Sequence, residues 1–216
     1  MTLGSRRAQR VLVTGGPTWV AIDDVRVISN TSTGEMSLWL AREAATAGLD
    51  VDLLLGPACA PGRLPARVKV QRFAFYHELS ALLSEKLRAH RYDAIFHAAA
   101  VSDYLCRPVD GKISSEAGEL VLRLTRAPKL VAKIRSLNPS ARVVIFKLER
   151  GITDAVLVRR ALIAMKQTRA DLAVANTFDK AGYRAYILDQ TDVAIRVASK
   201  KSVAKILIDR IKSLSS

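Results

Sequence analysis

Val11-Leu12-Val13-Thr14-Gly15-Gly16-Pro17-Thr18 is the stretch from which the architecture follows. Four apolar or β-branched residues read as a strand. Gly15-Gly16-Pro17 ends it in a turn that leaves backbone N–H groups free. Downstream, Gly34 to Ala47 carries the period of a helix, closed by Gly48, and Val51–Leu55 is again a short apolar strand. Strand, turn, helix and strand form the opening unit of a parallel sheet.

The alternation continues outward. Val68–Phe73, Ala94–Ala100, Arg142–Lys147 and Asp171–Ala175 read as further strands. Between them, Glu78–Arg91 puts Leu79, Leu82, Leu83 and Leu87 on one helical face. Pro128 suits the first position of a helix bearing Leu130, Val131, Ile134 and Leu137, and Thr153 can cap a helix running to about Lys166. Tyr183–Asp189 and Val193–Val197 read as a late antiparallel hairpin. A last amphipathic helix carries Val203, Ile206, Leu207, Ile211 and Leu214. Lys112–Ser115 and Leu120–Thr125 break the rhythm and read as an inserted β-hairpin turning near Gly118. The expected fold is α/β: a single doubly wound, Rossmann-like, mostly parallel sheet over residues 11–216, preceded by a basic tail over residues 1–10.

Composition narrows the class. The chain has 216 residues, half of them hydrophobic, enough for one sizeable core and too apolar for disorder. No apolar run approaches the roughly eighteen residues of a membrane span, and no export signal is visible, so no membrane partner and a cytoplasmic location are expected. Cys59 and Cys106 cannot form a disulfide framework. The net charge of +14, concentrated in Arg6, Arg7 and Arg10, in Arg63, Arg67, Lys69 and Arg72, and in Lys200, Lys201, Lys205, Arg210 and Lys212, favours polyanionic partners. No nucleic-acid recognition motif accompanies it, and aromatics make up only 6%.

Several motifs are excluded. Gly111-Lys112 is followed by Ile113, with Cys106 where a P-loop needs glycine, and Gly15-Gly16 does not complete G-x-G-x-x-G. None of Tyr76, Tyr92, Tyr104, Tyr183 and Tyr186 has lysine four residues on, which argues against a short-chain dehydrogenase. His and Cys are scattered singly, so no residues are assigned to a metal, and His97 reads as a core residue of its strand. What remains is a set of polar segments at strand C-termini: Gly15–Thr18, Ile28–Gly34, Ala98–Tyr104 and Phe146–Glu149. Asn30-Thr31-Ser32-Thr33-Gly34 can bind an anion at a helix start or simply cap the helix.

Together these segments resemble phosphopantothenate–cysteine ligase, in its form without a fused decarboxylase. The resemblance is carried by Gly15-Gly16-Pro17-Thr18, Ile22-Asp23-Asp24-Val25-Arg26, Ile28-Ser29-Asn30-Thr31-Ser32-Thr33-Gly34, Ala99-Ala100-Val101-Ser102-Asp103-Tyr104, Lys112-Ile113-Ser114-Ser115, Ala127-Pro128-Lys129, Phe146-Lys147-Leu148 and Ala170-Asp171-Leu172-Ala173-Val174-Ala175-Asn176, in order over roughly residues 11–190. It implies a ligase of coenzyme A biosynthesis that joins 4′-phosphopantothenate to cysteine through an acyl-nucleotide. CTP is expected ahead of ATP as co-substrate, with Mg²⁺, in a homodimer paired across the late hairpin.

By the same resemblance, Asn30 and Lys112 are the catalytic candidates. Asn30 would donate to the acyl oxygen, and Lys112 would reach the nucleotide phosphates. Arg26, Ser32, Thr33, Gly34 and Ala100 would join Asn30 on the phosphopantothenate side. Gly15, Gly16, Ala98, Ala99, Asp103, Lys112, Pro128, Lys129, Phe146, Lys166 and Arg169 would hold the nucleotide. Glu35 stands where the family usually has a basic residue, and Ser37 where it usually has glycine. A like charge beside a phosphate weakens its binding. These departures therefore motivate a second reading, the same fold ligating a different carboxylate and amine. The charge of the chain motivates a third, a basic nucleic-acid-binding module.

Overall fold

β1 (Arg10–Gly15) runs through the middle of the protein, with Val11, Leu12 and Val13 wholly buried. The computed structural model describes residues 9–116, 118–180, 182–191 and 194–213. After β1 come β2 (Trp19–Ala21), β3 (Val27–Ser29), α1 (Glu35–Thr46), β4 (Asp50–Leu55), β5 (Val68–Arg72), α2 (Tyr76–Ala89) and β6 (Ala94–His97). The second half holds β7 (Tyr104–Leu105), β8 (Thr125–Arg126), α3 (Leu130–Leu137), β9 (Arg142–Leu148), α4 (Asp154–Thr168), β10 (Leu172–Asp179), β11 (Gly182–Leu188), β12 (Ala194–Val197) and α5 (Lys200–Ser213). Residues 1–8 of the basic tail, Val193 of the late hairpin and Leu214 of the last helix lie outside the described residues.

Among the described residues eight strands form one sheet in the order β12-β11-β10-β9-β6-β1-β4-β5. The run from β10 to β5 is parallel, and β11 and β12 close the other edge antiparallel, as the late hairpin leads one to expect. From β1 the chain winds one way to β4 and β5, then the other way to β6, β9 and β10. Strand order thus reverses between β1 and β6, which opens a crevice at their C-terminal ends. α1 and α5 cover one face over Val13, Leu40, Leu53, Phe96, Val174 and Leu207. α2, α3 and α4 cover the other over Leu12, Leu83, Ile95, Ile134 and Leu157. Each fully buried side chain of this size contributes roughly 1.5–3 kcal/mol. Such layers hold the crevice edge rigid.

Three local expectations need correction. The insertion does contain an antiparallel pair, but it joins β7 to β8 rather than residues 112–115 to 120–125. The polar groups of residues 109–113 are instead taken by the turn between β2 and β3. Leu120, Val121 and Leu124 lie exposed with no face to bury. Pro128 does not open α3. Lys129 is the N-cap in extended conformation, and the Pro128 carbonyl accepts a hydrogen bond from the Tyr76 hydroxyl at 2.6 Å. β6 stops at His97, three residues short of Ala100. Beyond it, the backbone of residues 98–100 bends over the end of β1, held by Ala98 N–H to the Thr14 carbonyl and Ala100 N–H to the Gly16 carbonyl.

Candidate active site in the crevice between β1 and β6

Three glycines give the crevice floor its close packing. A β-carbon on Gly15 would lie 1.8 Å from Ser37 Oγ, and one on Gly16 or Gly34 would lie 2.6 Å from Cys59 Sγ. Gly16 and Gly34 also have φ of +80° and +71°, a region that side chains disfavour. Gly34 is the N-cap of α1 and provides no side-chain cap. The glycines therefore draw α1 and the Cys59 loop against the end of β1.

Over this floor, Asn30 Nδ2 donates to the Ala100 carbonyl at 2.9 Å, and Thr18 N–H donates to the same oxygen at 3.3 Å. Asn30 thus ties the loop after β3 to the chain leaving β6, and it does not cap α1. Ser32 Oγ accepts from Gly34 N–H at 3.4 Å, which keeps Ser32, Thr33 and Gly34 in a turn at the mouth of α1.

A second tie joins the β2–β3 turn to the insertion. Asp23 is buried and accepts from the backbone N–H of Val25, Arg26 and Ile113 at 2.9, 2.7 and 3.1 Å. Arg26 Nη1 adds an ion pair at 2.9 Å and also donates to the Ile113 carbonyl at 3.2 Å. Burial alone would raise the Asp23 carboxyl. The three N–H groups and the guanidinium outweigh it and hold the pKa below the ordinary value. Arg26 and the exposed Lys112 are therefore carried on segments locked together through one carboxylate.

Beside the crevice lies a cleft of about 870 Å³. Its wall includes Ala99, Ala100, Asp103, Pro128, Lys129, Phe146 and Arg169, so the fold gathers these sequence-selected residues along one groove between α3 and α4. Lys129 Nζ and Asp103 Oδ1 are ion-paired at its rim, 2.5 Å apart. Arg169 sits at the far end, in left-handed conformation (φ 53°) closing α4. Ala98 and the Phe146 side chain belong with the core on the α1 side, and Phe146 reaches the groove as part of β9. Gly15, Gly16, Lys112 and Lys166 are not among the residues lining the groove.

Both family departures find local partners. Glu35 receives Lys200 Nζ at 2.5 Å and Trp39 Nε1 at 3.4 Å; the Lys200 hydrogen bond, ahead of the opposing effect of burial, lowers its pKa. Ser37 is buried, with its hydroxyl donating to the Gly34 carbonyl at 2.6 Å. Lys200 balances the charge of Glu35, and Ser37 is held within the first turn of α1. No group of three or more His, Cys, Asp or Glu side chains among the described residues is placed to hold a metal. Among the described residues Asp103 is the one carboxylate on the groove wall, and it is already paired with Lys129.

The sequence reading missed His97. It lines the groove, with Nδ1 3.0 Å from Thr14 Oγ1. Burial pushes its pKa down to about 4, so the ring is neutral at physiological pH. The sequence alone gives only that both Thr14 and His97 lie close before a small-residue segment; the parallel register places them side by side.

Residues 6–214 match the family described as DNA/pantothenate metabolism flavoprotein C-terminal domain. The coenzyme A biosynthesis bifunctional protein CoaBC of Thermococcus kodakarensis is 32% identical over 215 residues, which is 97% of this chain and 52% of that protein. The chain spans about half the length of the curated relatives it matches. The DNA/pantothenate metabolism flavoprotein from Streptococcus pneumoniae superposes with a TM-score of 0.87 at 25% identity, covering 96% of this chain and 100% of that one. A Cab2 mutant in complex with phosphopantothenate-cysteine gives 0.80 at 17% identity, over 95% and 85% of the two chains, and shares the fold.

Proposed function

The chain belongs to the DNA/pantothenate metabolism flavoprotein C-terminal domain family, and on that premise we propose that it ligates 4′-phosphopantothenate to cysteine. The observation that carries the reading is the Asn30–Ala100 tie, which sets a substrate-facing loop beside a groove large enough for a nucleotide. A carboxylate is a poor acyl donor because its leaving group is oxide. Its oxygen first attacks the α-phosphorus of a nucleoside triphosphate, pyrophosphate leaves, and an acyl-nucleotide anhydride remains. The cysteine amine then attacks the acyl carbon, the nucleoside monophosphate leaves, and the amine proton is lost to solvent.

Both steps gather negative charge on oxygen, so fixed donors supply the stabilisation. Asn30 Nδ2 turns from the Ala100 carbonyl to the acyl oxygen, and Lys112 meets the phosphates. Arg26 and the Ser32–Gly34 turn hold the phosphopantothenate side. Asp103, Pro128, Lys129, Phe146 and Arg169 border the nucleotide. Mg²⁺ would come with the triphosphate and neutralise phosphate charge. CTP is proposed ahead of ATP because the Ile-Asp-x-Val-Arg spacing resembles bacterial members. A cytoplasmic homodimer is proposed with it.

The test is pyrophosphate release from CTP and from ATP with Mg²⁺ and 4′-phosphopantothenate. Release that requires phosphopantothenate, followed by product only with cysteine, supports the ligase. Folded protein silent with both nucleotides refutes it.

A further inference from the structure

His97 ends β6 at the strand-order reversal, on the same face of the sheet as the groove between α3 and α4. Its neighbour in register is Thr14, which is wholly buried. Among the described residues Thr14 Oγ1 has two hydrogen-bond contacts: the Ala99 N–H at 3.2 Å and His97 Nδ1 at 3.0 Å. A hydroxyl carries one proton and two lone pairs. The Ala99 N–H can only donate, so it uses a lone pair. The hydroxyl proton then needs an acceptor, and among the described residues Nδ1 is the acceptor recorded within reach. A buried hydroxyl that failed to donate would forfeit its hydrogen bond at a cost of about 1–3 kcal/mol. The arrangement that satisfies all three groups makes Thr14 the donor and Nδ1 the acceptor. The imidazole proton is then on Nε2.

No protein acceptor for Nε2 is recorded among the described residues, and His97 belongs to the groove wall with Ala99, Asp103 and Phe146. We propose that Thr14 fixes His97 as an Nε2–H donor to an acceptor oxygen of the bound nucleotide, with His97 the binding residue and Thr14 the positioning residue. This assignment rests on the ligase reading for the identity of the ligand; the tautomer does not. The same Thr14 hydroxyl holds the Ala99 N–H, so the backbone of residues 98–100 and the imidazole are oriented by one atom. A histidine here adds a directional donor where Gly15-Gly16 and the alanines offer no side-chain hydrogen bond.

Two measurements separate the assignment from the function on which it builds. Nitrogen-15 NMR of the ligand-free 216-residue chain reads the tautomer directly: Nε2 is expected protonated and Nδ1 an unprotonated acceptor at neutral pH. Finding the proton on Nδ1 would overturn the proposal. Titration with CTP and ATP, each with Mg²⁺, reads the contact. His97→Leu is expected to weaken the tighter nucleotide about tenfold or more, the loss of one hydrogen bond to a charged acceptor. His97→Gln, whose amide restores a donor, stays within about threefold of wild type by the same arithmetic. Thr14→Val weakens binding and mixes the tautomers, whereas Thr14→Ser preserves both. The nucleotide KM rises while the phosphopantothenate KM and kcat move little. Wild-type protein that binds nucleotide with His97→Leu equally tight overturns the assignment alone. Wild-type protein that binds neither nucleotide overturns the ligase reading and, with it, the ligand named here.

Discussion

The side-chain amide of Asn30 donates to the carbonyl of Ala100 at 2.9 Å, across 70 residues of sequence, and so closes the loop after β3 onto the chain that leaves β6. The bond lies exposed at the crevice mouth, so its loss costs the fold about 1 kcal/mol or less. Asn30→Ala is expected to fold, to release pyrophosphate with phosphopantothenate, and to form little product with cysteine. Following both half-reactions in one assay checks this. Loss of the two together would show that Asn30 serves activation as well.

Asp23 makes a separate prediction because it holds Arg26 and the Lys112 segment through one buried carboxyl. Asp23→Ala leaves three backbone N–H groups and a guanidinium without their shared acceptor and is expected to destabilise the fold. Asp23→Asn keeps the shape but loses two acceptor sites, so hydrogen exchange at the Ile113 amide should accelerate. Because the folded pKa is below the ordinary value of 3.8, this tie stabilises the fold above that pH and weakens only as the carboxyl protonates in stronger acid. Unchanged exchange at Ile113 in Asp23→Asn would contradict the coupling.

The fold was most legible where periodicity was long. The strands at Val11, Val51 and Arg142 and the helix face Leu79, Leu83 and Leu87 appear where the alternation places them, because each buries a full face. β2 and β3 have three residues each and leave no periodic trace, and their pairing depends on the Asp23 turn. In residues 112–124, apolar residues suggested a hairpin, but the backbone groups of the neighbouring segment bond the β2–β3 turn instead. The candidate site divided in the same way. Motif order pointed to Asn30, Asp103 and Lys129, which the fold brings to the crevice and its groove, whereas His97 read as core because only the sheet register reveals its place beside Thr14 and the groove.

His97 yields a pH prediction. Burial lowers its pKa from 6.5 to about 4, so between those values the unfolded chain binds the extra proton and the folded one does not. Stability therefore rises with pH across that window and is lost as pH falls from about 6.5 toward 4. The melting temperature of wild type should drop over this range more than that of His97→Gln, measured side by side. Parallel curves would contradict an imidazole held neutral by its lowered pKa.

Gly15 and Ser37 test the packing of the floor. The alanine β-carbon of Gly15→Ala would lie 1.8 Å from Ser37 Oγ and 2.2 Å from its Cβ, but 3.6 Å from its Cα. Gly15→Ala is expected to destabilise by about 1–3 kcal/mol or more through overpacking. Ser37→Gly removes both clashing atoms, so the double variant should recover most of that loss in a denaturant-based mutant cycle. Additive effects would mean that α1 does not rest on β1 through this contact.

Pyrophosphate release is the measurement that bears most directly on the ligase reading. Wild-type protein with Mg²⁺ is supplied with CTP or ATP, with and without 4′-phosphopantothenate, and cysteine is added last. The account predicts release that depends on phosphopantothenate, faster with CTP, and an amide product that appears only after cysteine. Folded protein that binds nucleotide but releases no pyrophosphate with phosphopantothenate would contradict it.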